Sequence, residues 1–126
     1  MRRLVVDLDE TLTMSARDGY EHAVPNDALI AQLRRYRSNG FEIVISTSRN
    51  MNSFSGNLGK INVHTLPVIL AWLAQHTVPF DEVFVGKPWC GHEGFYIDDK
   101  AIRPSEFVQY SLLEIHALLA AEKRAS

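Results

Sequence analysis

Cysteine is almost missing: the 126 residues contain one, Cys90, so no disulfide can form within the chain and nothing points to an oxidising compartment. Long apolar runs are missing too, and the opening Met1-Arg2-Arg3-Leu4-Val5-Val6 reaches Asp7 too soon to read as a signal peptide or a membrane span. An excess of charge of either sign is also lacking. The formal net charge of −2 offers no general attraction for nucleic acid. The expectation is a cytoplasmic protein with no nucleic-acid or membrane partner. Apolar residues at 46% and charged residues at 22% are ordinary globular values, and the length suits one domain over residues 1–126 without repeats or linkers.

Leu4-Val5-Val6 and Phe41-Glu42-Ile43-Val44-Ile45 read as strands, one ending at Asp7 and the other at Ser46-Thr47. Between them Asn26-Asp27 can cap a helix with Leu29, Ile30 and Leu33 on one face, and Ser38-Asn39-Gly40 supplies its stop. A right-handed parallel crossover is the default connection. Helical spacing recurs from Val63 to Ala74, followed by Glu82-Val83-Phe84-Val85 and Phe95-Tyr96-Ile97 as short strands. Ser111-Leu112-Leu113-Glu114 resembles a capping box opening a helix that turns Ile115, Leu118 and Leu119 inward. Thr13 to Val24 and Arg49 to Lys60 read as loops. This alternation predicts an α/β fold with a three-layer, Rossmann-like parallel sheet flanked by helices. The nine residues from Gly86 to Gly94 are too few for a regular parallel crossover, so an irregular turn is expected there.

The chemistry-bearing residues follow the strands, which in an open α/β sheet places them at the carboxyl-end crevice. Asp7-Leu8-Asp9-Glu10-Thr11 follows the first strand, with Asp7 and Asp9 on one side of an extended chain. Neighbouring carboxylates repel unless a cation compensates, and Asp98-Asp99 adds more negative charge after the last expected strand. Mg²⁺ suits such hard oxygen donors and keeps waters that a phosphate can displace. Zinc does not, because Cys90-Gly91-His92 lacks companion ligands. Thr47, with Ser48 beside it, and Lys87 offer hydrogen bonds and positive charge to a phosphate. In this reading Asp7 attacks phosphorus and Asp9 serves as acid, then base.

The motif D-x-D-x-T at Asp7–Thr11, the strand ending at Thr47, the downstream Lys87 and the pair Asp98-Asp99 resemble the haloacid dehalogenase superfamily in type and order. The stretches Ile45–Met51, Gly86–Pro88 and Gly94–Pro104 look like those of bacterial capsule biosynthesis phosphatases. The resemblance implies Asp7 as nucleophile, Asp9 as acid/base, Thr47 as phosphate ligand and Lys87 as charge stabiliser. It implies metal ligation by Asp7, the Asp9 carbonyl and Asp98, with Asp99 helping from beside it, and Thr11 orienting the loop. The substrate class implied is a phosphorylated small molecule or saccharide. Two features depart from the family pattern: Glu10 stands where glycine is common, and the spacing from Lys87 to Asp98 is short. No insertion is large enough for a sizeable cap domain, so the site is expected to be open, or closed by a partner subunit in an oligomer.

Each residue also has a plainer reading. Asp7 and Asp9 can be turn formers, Thr47 a helix cap and Lys87 a solvated turn residue. Arg49 is balanced between holding substrate through its guanidinium fork and simple solvation. Trp72 reads as core and Cys90 as a buried small apolar residue. Joint occurrence after different strands favours a site. A receiver-like phospho-accepting domain uses similar parts, but with its acidic pair early and its phosphoacceptor alone on a middle strand. A non-catalytic binding protein on the same fold is the other alternative.

Overall fold

The computed structural model describes residues 1–125 and divides the chain into two compact units, Met1–Trp89 and a second beginning at Cys90. The first unit contains β1 (Arg3–Val6), β2 (Thr13–Ser15), β3 (Val24–Pro25), α1 (Asp27–Ser38), β4 (Glu42–Thr47), α2 (Leu58–His64), α3 (Leu66–Gln75) and β5 (Glu82–Val85). The second contains α4 (Pro104–Gln109) and α5 (Leu112–Ala125). The fold is α/β, with a parallel sheet flanked by helices, as expected.

The sheet order is β1-β4-β5, all parallel. Its centre, Glu-Ile-Val-Ile-Ser-Thr, is rich in β-branched residues, which pack well on a pleated surface. Register pairs Leu4 with Ile43, Val6 with Ile45, Ile45 with Val83 and Thr47 with Val85, so these side chains share one face. Ile43, Ile45 and Thr47 are essentially excluded from solvent. On the other face Arg3 bridges its neighbours, reaching Glu42 at 3.1 Å and Glu82 at 3.5 Å.

Helix α1 begins and ends as its residues dictate. The Asn26 side chain accepts from the Leu29 N–H at 3.3 Å, and Leu29, Ile30, Leu33 and Tyr36 turn into the core. At the far end Gly40 takes φ +88, the Phe41 N–H donates to Tyr36 O at 3.1 Å, and the Gly40 N–H donates to Arg37 O at 3.0 Å. That is a Schellman stop, and the Tyr36 and Phe41 rings close it edge-on at 5.0 Å.

Four expectations of secondary structure are corrected. The helical pattern from Val63 to Ala74 is two helices, broken at Thr65. Pro67 stands in the first turn of α3, where it has no N–H for the carbonyl four residues back and its ring would crowd that carbonyl. Helix α2 already starts at Leu58, capped by Asn57, whose side chain accepts from the Lys60 N–H at 3.1 Å, inside the stretch expected to be loop. The loop from Thr13 to Val24 holds the antiparallel pair β2–β3 and one turn of 3₁₀ helix at Tyr20–His22, elements too short to leave a periodic signal. Phe95-Tyr96-Ile97 is not a strand: its side chains are exposed, and the described residues of the second unit offer no strand for it to pair with.

Trp72 is core as expected, and its Nε1–H donates to Ala23 O at 2.9 Å, tying α3 to the segment before β3. In the second unit the Ser111–Glu114 capping box forms, with Ser111 N–H to Glu114 Oε1 at 2.9 Å and Glu114 N–H to Ser111 Oγ at 3.2 Å. Hydrogen bonding of the Glu114 carboxyl by the Ser111 backbone N–H, and next by the Ser111 side chain, holds it below the usual glutamate range. Of the three residues expected inward on α5, Ile115 is buried and Leu118 is exposed. The short helix α4 had no forecast; Pro104 starts it and the Arg103 N–H donates to Glu106 Oε1 at 2.9 Å. Cys90 is half-buried rather than buried.

Leu33 is fully buried on the α1 face. Leu33→Ala is expected to lower the unfolding free energy by about 2–5 kcal/mol, through lost transfer energy plus the cavity left behind, read as a lower urea midpoint at unchanged slope.

Candidate active site

Asp7 emerges where β1 ends, and the chain then folds tightly around one carbonyl. Leu8 O accepts the N–H groups of Thr11, Leu12 and Thr13 at 3.3, 2.9 and 3.0 Å. Leu8 and Leu12 are buried beneath, and Asn26 pins the turn from outside, its Nδ2 donating to Thr11 O at 3.0 Å and its backbone N–H to Leu12 O at 2.7 Å. The turn requires φ +62 at Glu10, a left-handed conformation that explains why glycine would suit this position.

This turn presents both carboxylates, each about one-third exposed. Thr11 Oγ1 donates to Asp7 Oδ2 at 3.3 Å, and Lys87 Nζ stands 3.5 Å from Asp7 Oδ1. Thr13 Oγ1 donates to Asp9 Oδ1 at 3.5 Å. Thr47, the last residue of β4, is buried and organises two neighbours: its Oγ1 accepts the Arg49 N–H at 3.0 Å and its carbonyl accepts the Lys87 N–H at 3.1 Å. Between β5 and Lys87 lies Gly86 at φ +88, where a Cβ would meet Leu58 Cδ2 at 2.6 Å. The left-handed backbone is what favours glycine here, since Leu58 Cδ2 ends a flexible side chain that can shift, and the turn leads the chain on to Lys87.

Arg49 is not solvated. Its side chain is 2% exposed and forks onto Asp9, Nη2 to Oδ1 at 2.8 Å and Nε to Oδ2 at 3.1 Å. The Tyr20 ring lies over the guanidinium at 4.0 Å. Tyr20 and Thr13 were not foreseen; an aromatic beside the Asp18-Gly19 turn and a threonine at a strand start carry no signal of their own. Ser48, half-buried, follows Thr47 in the same segment.

The structure thus brings Asp7, Asp9, Thr11, Thr47, Arg49 and Lys87 into one connected network in the first unit. Asp98 and Asp99 belong to the second unit, where Asp98 Oδ1 accepts the Lys100 N–H at 2.8 Å and both line a hollow with Ile102, Glu106, Leu118 and Glu122. Among the described residues no group of three or more His, Cys, Asp or Glu side chains is gathered for a metal. The donors near Asp7 nevertheless fit Mg²⁺ in kind. They are hard oxygens, the Asp7 carboxylate is partly exposed, and this ion is commonly held by one or two carboxylates with water and substrate phosphate filling the rest.

Parallel strands whose carboxyl ends carry D-x-D-x-T, a buried threonine and a lysine have the arrangement that the haloacid dehalogenase resemblance implies. Residues 4–71, more than half the chain, match the family of haloacid dehalogenase-like hydrolases, and the protein belongs to that family. It is also similar to a target protein from Vibrio cholerae known from a crystal structure, with 58% identity, a TM-score of 0.95, and coverage of 97% of this chain and 99% of that one. No curated protein matches. The receiver-like alternative is thereby set aside. No helix among the described residues is long and apolar enough to cross a membrane.

Glu10→Gly would relieve a left-handed residue that costs roughly 1–2 kcal/mol, against a gain in unfolded-chain freedom of about 0.4–1 kcal/mol. A small net stabilisation, between zero and roughly 1.6 kcal/mol, is expected in urea unfolding of the variant beside the parent.

Proposed function

We propose that this protein is a Mg²⁺-dependent phosphomonoesterase working through an aspartyl-phosphate on Asp7. The observation that carries the reading is the Asp7 carboxylate itself, held by Thr11 on one oxygen and faced by Lys87 on the other at the carboxyl ends of parallel strands. One oxygen of Asp7 attacks phosphorus in line, the ester P–O bond breaks, and the departing oxygen takes a proton from Asp9. Water then attacks the phosphorus, gives its proton to Asp9, and phosphate leaves as the bond to Asp7 breaks. Lys87 and the hydroxyls of Thr47 and Ser48 offset the charge on the phosphoryl oxygens. Asp7 and the Asp9 carbonyl would hold Mg²⁺, which supplies Lewis-acid charge stabilisation when bound.

This reading takes residues 1–126 as one catalytic domain. It places the enzyme in the cytoplasm, open or closed over by another subunit, and acting on a phosphosugar of capsule or surface polysaccharide synthesis. The support for that substrate is the wording of the loops at Ile45–Met51 and Gly94–Pro104.

Purified protein is expected to hydrolyse p-nitrophenyl phosphate repeatedly with Mg²⁺, to stop in EDTA, and to recover with Mg²⁺ but not Ca²⁺, whose looser coordination misplaces the phosphate. Asp7→Asn should fold normally by circular dichroism and show no turnover; activity within tenfold of the parent excludes Asp7 as nucleophile. A panel of phosphosugars, nucleotides and phosphopeptides then identifies the substrate class.

Asp9→Asn separates the two steps. With p-nitrophenyl phosphate, whose leaving group needs little protonation, Asp7 should be phosphorylated and then hydrolysed slower by on the order of 10²–10⁴-fold. Mass spectrometry of quenched protein should find one phosphoryl group on the Asp7 peptide. Parent-like steady turnover without that adduct would remove Asp9 from proton transfer.

A further inference from the structure

Arg49 has three anchors, and each restricts what it can do. Its backbone N–H is held by Thr47 Oγ1, which fixes where the side chain leaves the β4 end. Its guanidinium lies against the Tyr20 ring at 4.0 Å, which limits rotation out of plane. Its Nε and Nη2 both point at Asp9, one to each oxygen, at 3.1 and 2.8 Å. A planar cation stacked on a ring and forked onto a carboxylate holds that carboxylate's plane as well as its position. The remaining amino group, Nη1, is buried and meets no hydrogen-bond partner among the described residues.

The same three anchors argue against Arg49 as the general phosphate ligand. A side chain only 2% exposed, with Nε and Nη2 turned to Asp9 and Nη1 itself buried, presents little surface to an incoming anion. Asp9 itself is one-third exposed, so the carboxylate, not the guanidinium, is the group that meets solvent. Thr13 completes the arrangement with a long contact to the Asp9 oxygen that Nη2 also holds.

We propose that Arg49, clamped by Tyr20, is a positioning residue that aims the Asp9 carboxylate at the departing ester oxygen and then at the attacking water. The inference rests on the phosphatase reading above. It assigns to Arg49 an effect on turnover instead of on substrate affinity, and one that grows as the leaving group becomes more dependent on receiving a proton. Tyr20 acts through Arg49 in the same sense, by keeping the fork in plane.

The experiment compares phenyl phosphate with p-nitrophenyl phosphate, using the 126-residue parent, Arg49→Met, Arg49→Lys and Tyr20→Leu, with melting temperatures recorded for each. For Arg49→Met, kcat on phenyl phosphate should fall on the order of 10²-fold, with KM within about threefold of the parent. Phosphorylation of Asp7 by p-nitrophenyl phosphate in the first turnover should persist. Arg49→Lys, which keeps the charge but loses the fork, should recover part of kcat, and it is the variant to read if Arg49→Met does not fold. Tyr20→Leu should reproduce a weaker form of the same leaving-group dependence. A rise in KM at unchanged kcat would make Arg49 a substrate ligand and overturn the proposal. Equal losses on both substrates that track the melting temperature would overturn it in favour of a purely structural ion pair. A parent protein inactive on both substrates overturns the phosphatase reading and this inference with it, a result distinct from an active parent with indifferent variants.

Discussion

Parallel pairing of β4 with a strand on each side is the constraint on which the rest depends. In a parallel ladder the carboxyl ends of neighbouring strands point the same way, so the residues just after β1, β4 and β5 collect along one edge. Asp7, Thr47 and Lys87 are each within two residues of a strand end, and the alignment alone makes them neighbours. The ladder also reaches beyond the strands: Thr47 O takes the Lys87 N–H, continuing the β4–β5 bonding by one step into the site. Burial of Ile43 and Ile45 fixes this register, because a one-residue slip would exchange the two faces of the strand.

Charge decides how the turn after β1 can exist. Asp7 and Asp9 stand close together, and the first unit meets each with its own cation instead of a shared one, Lys87 for Asp7 and Arg49 for Asp9. The two pairings differ in kind. Arg49 binds at hydrogen-bond distance through two nitrogens from a buried position, which fixes geometry. Lys87 stands 3.5 Å away, a quarter exposed, on a flexible stem whose single charge has no preferred direction. A fixed fork suits a group that must be aimed. A looser point charge suits a group that, on the proposed reaction, must follow charge from the carboxylate to the phosphoryl oxygens.

Strands β1, β4 and β5, helix α1 and the gathering of Asp7, Thr47 and Lys87 at one sheet edge were legible because each left a signal at its own scale. β-branched runs marked β1 and β4, Asn26 and Gly40 punctuated α1, and acidic or hydroxyl residues stood directly after the strands. The split at Thr65 was readable in principle from Pro67, but a continuous apolar period masked it. β2 and β3 are too short for any period, and their pairing is a long-range event with no local trace. Phe95-Tyr96-Ile97 has strand composition without strand structure, since composition reports fitness for a sheet and a strand also needs a neighbour. Glu10 shows a further case: sequence marked it as a departure from a glycine pattern, and the +62° dihedral supplies the physical reason that pattern exists.

Arg49 was balanced between two readings because a loop arginine looks the same in sequence whether it is solvated or engaged. Burial breaks the tie. A guanidinium stays charged, and an unpaired charge removed from water is too costly to keep, so a nearly buried arginine must have an anion beside it. In the first unit that anion is Asp9, forty residues earlier in the chain. The distance is what hid it: the spacing between a strand-end acid and a loop base says nothing until β1 and β4 are known to be adjacent. Once the ladder places them side by side, the same burial that rules out solvation also keeps the remaining N–H groups away from an anion arriving from solvent. The third possibility, a base that serves the chemistry by holding an acid, has no signature in the sequence and emerges only from the pairing of two strands.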